Sequence, residues 1–217
     1  MFRERPTLPR YSTTFDVDIV LRYLTTLPSP YAVPLKELTH RVATLLCILS
    51  GQRSQTLGCL SIDFMDLNND KVSFLIPDLL KQSRPGYHQQ PLEFEAYPYN
   101  VNLCPVTNVR AYLKMTDEYR QKGKFFVSFA PPHQTIQSKS IARWIILFLQ
   151  ESGVDTTLFK THATRSAATS KAFKSGMSLS DIGRAAGWKS TSVFQTFYNK
   201  PISNNLGTKI LTSRSSN

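Results

Sequence analysis

Thr161-His-Ala-Thr-Arg-Ser-Ala-Ala-Thr-Ser-Lys-Ala-Phe173, continued by Gly187-Trp-Lys-Ser190 and Phe197-Tyr-Asn-Lys-Pro201, is the part of the chain whose reading decides the fold. His162 and Arg165 lie three residues apart at a helix start, so they share a face and can converge on one anion. Behind them Ser166, Ala167 and Ala168 are small enough to let that helix pack closely against others. A His-x-x-Arg pair by itself is more often a solvated helix face. Its weight comes from the segments around it.

Working outward, Ser178-x-x-Asp181 has the spacing of a capping box opening a further helix that Gly187 closes. A last helix carries Phe194, Phe197 and Tyr198 as a stripe of spacing three and four, which is also the pattern of ordinary core aromatics. Upstream, residues 138–151 and 164–174 read as helices, as do 106–121 and the stretch beginning at Asp16. Apolar residues recur at helical spacing from Leu35 to Ser50, with Gly51 as the terminating residue, so Arg53 opens the next short helix. Between Leu60 and Pro98 the period changes to two, in segments separated by Asn68-Asn-Asp70 and Ser83-Arg-Pro-Gly86, which predicts a small three-stranded antiparallel sheet. Phe125-Phe-Val-Ser-Phe129 is a short strand or a buried connector. The expected class is therefore mainly α with one small sheet (α+β), with an extended lead-in over 1–14, one domain over 15–201 and a polar tail over 202–217.

A chain of 217 residues with 41% hydrophobic content can bury a core without staples. Its net charge of +11 asks for a polyanionic partner, nucleic acid ahead of an anionic membrane surface. Cys47, Cys59 and Cys104 are odd in number and far apart, which supports neither a disulfide framework nor a zinc site and fits a reduced, intracellular chain. No apolar run approaches a membrane span. Asp66-Leu-Asn-Asn-Asp70 opens like a calcium loop, but Lys71 and Pro77 stand where the glycine and the bidentate glutamate are required. Asp63, Asp66 and Asp70 are better explained by a hairpin than by a metal-dependent nuclease, and no metal or cofactor is expected.

The order Arg53, Lys81, His162-x-x-Arg165, Gly187-Trp188, Tyr198 resembles the tyrosine recombinases, the family of the λ-type integrases. The local wording is most similar to recombinases of the DIRS, Ngaro and crypton mobile elements, notably in Ser50-Gly-Gln-Arg-Ser-Gln-Thr-Leu57, Leu80-Lys-Gln-Ser-Arg-Pro-Gly86 and Ala186-Gly-Trp-Lys-Ser190. The resemblance spans nearly everything after residue 14 and implies the DNA breaking-and-rejoining catalytic fold. It also implies double-stranded DNA as partner, four protomers at synapsis with the segment after Tyr198 docking on a neighbour, and a nuclear location in a eukaryote. Such domains commonly clamp DNA together with an N-terminal helical domain, little of which fits in fourteen residues, so the chain reads as a catalytic fragment.

The chemistry follows from residue types. Two guanidiniums on the non-bridging oxygens of a phosphodiester neutralise charge and hold phosphorus in line, which suits Arg53 and Arg165. A tyrosyl phosphate is close in energy to the DNA ester, so attack by Tyr198 is reversible without ATP. A phenol ordinarily keeps its proton up to about pH 10 and needs an acceptor, for which His162 is the candidate. Trp188 offers an N–H to a phosphate oxygen where many relatives carry histidine. Lys81, at the start of a turn between strands, is the candidate to protonate the leaving 5′-oxygen, with Arg84 and Lys71 also available. Two positions depart from the wider family. Thr56 stands where many members have an acid three residues after the first arginine, and Trp188 to Tyr198 is ten residues rather than nine. The competing expectations are a DNA-binding module that has lost the reaction and a type IB topoisomerase.

Overall fold

The computed structural model describes residues 12–77, 90–120, 123–188, 194 and 198–201. Its scaffold is one helix, α2 (Leu35–Ser50), whose residues from Leu38 to Ile48 are all buried. A helix apolar on nearly every side needs neighbours all round. It finds them in α4 (Pro105–Thr116), α5 (Ser138–Glu151) and α6 (Thr161–Lys174). The helix ends where the sequence says it should, at Gly51, with φ of 60° in the left-handed region. A side chain at Gly51 would also meet Thr169 Cγ2 at 3.3 Å, so the end of α2 and α6 are in close approach.

Before α2, Asp16 caps α1 (Val17–Thr26) by accepting from Asp18 N–H at 2.9 Å, and the Pro-rich turn after Leu27 stops it. After α2, Arg53 is the extended residue that opens α3 (Ser54–Leu57). The period-two region forms the expected antiparallel sheet in the order β1 (Met65–Leu67), β2 (Lys71–Phe74), β3 (Leu92–Glu95). Val72 pairs with Phe94 and Phe74 with Leu92, and these four side chains make its buried face. The turn at Asn68 is closed by its own side chain, which accepts from Asp70 and Lys71 N–H at 2.9 Å each. The Ser83-Arg-Pro-Gly86 turn lies outside the described residues.

Phe125, Phe126 and Val127 form a buried connector rather than a sheet strand, with isolated bridges at Lys124 and Val127. α4 gives way at Asp117 to a 3-10 turn, three residues short of the described limit at Arg120. Arg120 then folds back on the helix, bonding Thr116 Oγ1 and the Phe125 carbonyl (2.7 Å). α7 (Leu179–Ala186) opens with Ser178 accepting from Asp181 N–H at 3.1 Å and closes at Gly187, φ 67°. α6 starts three residues before the expected 164. No described helix is long and apolar enough to cross a membrane.

One buried ion was not anticipated. Arg41, in the middle of α2, is 1% exposed and spends its guanidinium on backbone and amide oxygens: Pro28 O (2.9 Å), Asn102 O (3.1 Å) and Asn102 Oδ1 (2.9 Å). It staples the turn after α1 and the loop before α4 to the central helix. Burial lowers its pKa to about 10.

Candidate active site

Arg165 organises the site. It sits one turn into α6, 2% exposed, and its Nη2 donates to the Ala186 carbonyl at 2.6 Å, at the C-terminal end of α7. That carbonyl end carries partial negative charge, a natural seat for a guanidinium. The next carbonyl back, Ala185 O, accepts from Gln52 Nε2 at 2.8 Å, and Gln52 Oε1 accepts from Thr56 Oγ1 at 3.3 Å. Two side chains, one from α6 and one from the link between α2 and α3, therefore fix the last turn of α7. Gly187 then turns the chain so that Trp188 returns over the site.

The Arg165 guanidinium carbon stands 5.1 Å from the Trp188 ring centre and 5.4 Å from that of Tyr198. The two rings are themselves stacked, 4.7 Å apart and 25° from parallel, with Phe194 5.6 Å from Trp188 on the other side. Arg165, Trp188 and Tyr198 thus form one cluster from three segments. Tyr198 sits in a turn closed by Asn199 N–H donating to the Phe194 carbonyl at 2.7 Å. This i to i+5 bond is a π-type turn, one residue longer than an α-turn.

The polar inventory is lopsided. Nε and Nη1 of Arg165 and Nε1 of Trp188 are buried and make no hydrogen bond among the described residues. Leaving a buried donor unpaired costs about 1–3 kcal/mol, which a hydrogen-bond acceptor at this position would recover. Burial first, and then repulsion from the charge of Arg53, lower the Arg165 pKa to about 10, while Tyr198 opposes the change. Arg53, half-buried at the start of α3, is therefore close enough to Arg165 for the two cations to repel. An anion between them relieves both the repulsion and the unpaired donors.

The other expected residues are placed differently. His162 is exposed in the first turn of α6, one turn ahead of Arg165. Lys81 and Phe197 lie outside the described residues. Two contributors escaped the sequence reading. Gln52 is buried between the end of α2 and Arg53, and a polar residue directly after the terminating glycine was its only signal. Ser170 donates to the Tyr198 carbonyl at 2.6 Å. Thr56, at the position of the missing acid, donates to Gln52, which in turn donates to the Ala185 carbonyl. Among the described residues no group of three His, Cys, Asp or Glu side chains could hold a metal.

The fold is that of the tyrosine recombinase catalytic domain. A crystal structure of XerA recombinase superposes with a TM-score of 0.60 at 16% identity, covering 100% of this chain and 67% of that one. The XerH site-specific recombinase bound to its difH substrate in a pre-cleavage complex gives 0.63 at 12% identity, covering 97% and 53%. The Tn1549 transposon integrase in complex with transposon right-end DNA gives 0.55 at 12%, covering 99% and 69%. The chain thus spans about half to two thirds of the length of these proteins, and at such identities the likeness is one of fold. No family model and no curated protein matches the sequence.

Proposed function

We propose that the chain is the catalytic domain, residues 15–201, of a site-specific DNA recombinase or integrase that works through a 3′-phosphotyrosyl intermediate. The observation that carries the reading is the set of three unpaired buried donors on Arg165 and Trp188 beside the Tyr198 ring. The recombinase fold supports it.

In the proposed reaction the scissile phosphate enters between Arg53 and Arg165. Arg165 meets it with Nε and Nη1, the two donors not committed to α7, and Trp188 adds its indole N–H. The Tyr198 phenol oxygen attacks phosphorus, the bond to the 5′-oxygen breaks, and the phosphotyrosyl ester stores its energy for rejoining. His162 receives the phenol proton, directly or through a water, and Lys81 supplies one to the departing oxygen. A 5′-hydroxyl of another strand reverses the steps. The wording similar to that of DIRS, Ngaro and crypton recombinases supports reading the chain as part of a mobile element, acting on double-stranded DNA as a tetramer and, in a eukaryote, in the nucleus. XerH bound to difH and a lambda integrase tetramer bound to a Holliday junction are neighbours with DNA in place.

The test is a nicked suicide DNA carrying the cognate site. A covalent adduct that disappears in Tyr198→Phe is expected, and no adduct on that DNA sinks the reading. Salt-sensitive binding without an adduct identifies a non-catalytic DNA-binding module. Relaxation of supercoiled DNA without sequence preference identifies a topoisomerase.

A further inference from the structure

The backbone after Tyr198 is pinned at three points. Ser170 Oγ donates to the Tyr198 carbonyl at 2.6 Å, and the same oxygen accepts from Lys200 N–H at 3.2 Å. One residue on, the Pro201 carbonyl accepts from Thr14 N–H at 3.0 Å, and Thr14 is fully buried with its hydroxyl 3.5 Å from the Ala163 carbonyl. Ser170 is 1% exposed. Its single hydroxyl is thus used in both directions, as donor to one peptide and acceptor from the next.

Such a clip answers a local weakness. π-type turns are rare and occur mostly as single turns, so the turn carrying Tyr198 has no following helical turn to hold its backbone. The chain leaves helical geometry at Asn199, which strips the Tyr198 carbonyl of an intrahelical partner. Ser170 supplies one from α6, the same helix that carries Arg165. A rigid helix therefore sets both the guanidinium and the backbone from which the phenol reaches.

We infer that Ser170 is a positioning residue for Tyr198, holding the phenol in register with Arg165 and Trp188. The inference rests on Tyr198 being the nucleophile. It calls for a placement readout that does not need the reaction. The full chain with 3-fluorotyrosine at position 198 gives a fluorine resonance shifted by the stacked Trp188 ring. In Ser170→Ala this resonance moves toward that of free fluorotyrosine, and single-turnover adduct formation slows by about 100-fold, the usual cost of a misplacement near 1 Å. DNA affinity stays within about twofold, since the Ser170 hydroxyl is engaged by the Tyr198 carbonyl and the Lys200 N–H. Ser170→Thr, which restores the hydroxyl, returns both signals toward wild type, and Ser166→Ala on the same helix changes neither. Where the alanine variant does not fold, Ser170→Cys, a weaker donor of similar size, carries the comparison. An unmoved resonance in a folded variant overturns the inference, whatever happens to the rate. A moved resonance in a protein whose wild type forms no adduct upholds the placement and removes the recombinase reading instead.

Discussion

Acidification should unfold this protein through His40. That imidazole is 3% exposed on α2, edge-on to Phe129 (5.6 Å) and stacked near Trp144 (6.2 Å), with an unpaired Nε2. Burial, and secondly the charge of Lys36, lower its pKa from 6.5 to about 4. The unfolded chain takes up a proton near pH 6.5, whereas the folded chain declines it until about pH 4. Stability held in full above pH 6.5 is therefore lost as pH falls through this window. For one site the loss is about 1.4 kcal/mol at pH 5.5 and about 3 kcal/mol at pH 4. Carboxylates titrate over the same range, so the measurement is a difference between wild type and His40→Phe, which keeps an aromatic ring beside Trp144 and has nothing to protonate. In urea, with a slope of roughly 2 kcal/mol per molar, the wild-type midpoint should drop by about 1.5 M more than that of the variant between pH 7 and pH 4. Parallel pH dependence in the two proteins would refute the reasoning.

Three further outcomes follow from the described contacts. Trp188→Phe keeps a ring for Tyr198 to stack on but deletes one donor, so cleavage in a suicide-substrate assay should fall about 100-fold with DNA affinity little changed. Arg41→Met strands the Pro28 and Asn102 oxygens and should cost about 2–4 kcal/mol, read as a melting temperature lower by roughly 5–15 °C. Gln52→Leu leaves the Ala185 carbonyl unpaired and frees the end of α7. It should destabilise by about 1–3 kcal/mol and slow adduct formation more than it weakens DNA binding, which single-turnover kinetics beside a binding titration would show.

What could be seen in the sequence was whatever acts locally. Gly51 and Gly187 mark helix ends because a left-handed residue is needed there, and Ser178 marks a start because it caps its own helix. The three strands follow from period-two burial. The first turn of α6 was missed because Thr161-His-Ala-Thr has no apolar stripe: the helix is held by small residues against α2 and by threonines bonding their own backbone, as Thr164 does to Thr161 O. In the site, the ordered motif pointed to Arg165, Trp188 and Tyr198, which the fold brings into contact. Gln52, Ser170 and Arg41 could not be found that way. Each works by gripping backbone oxygens from distant parts of the chain, and a carbonyl has no letter in a sequence.

The bond from Thr14 to Pro201 ties the described chain into a ring. Polymer joined ahead of residue 14 and polymer joined beyond residue 201 thus emerge from one spot, three residues from Tyr198. A module tethered by a short flexible linker at either end is held there at an effective concentration near the millimolar range. The face that holds Arg165, Trp188 and Tyr198 is in this sense also the pole at which the described chain opens and closes.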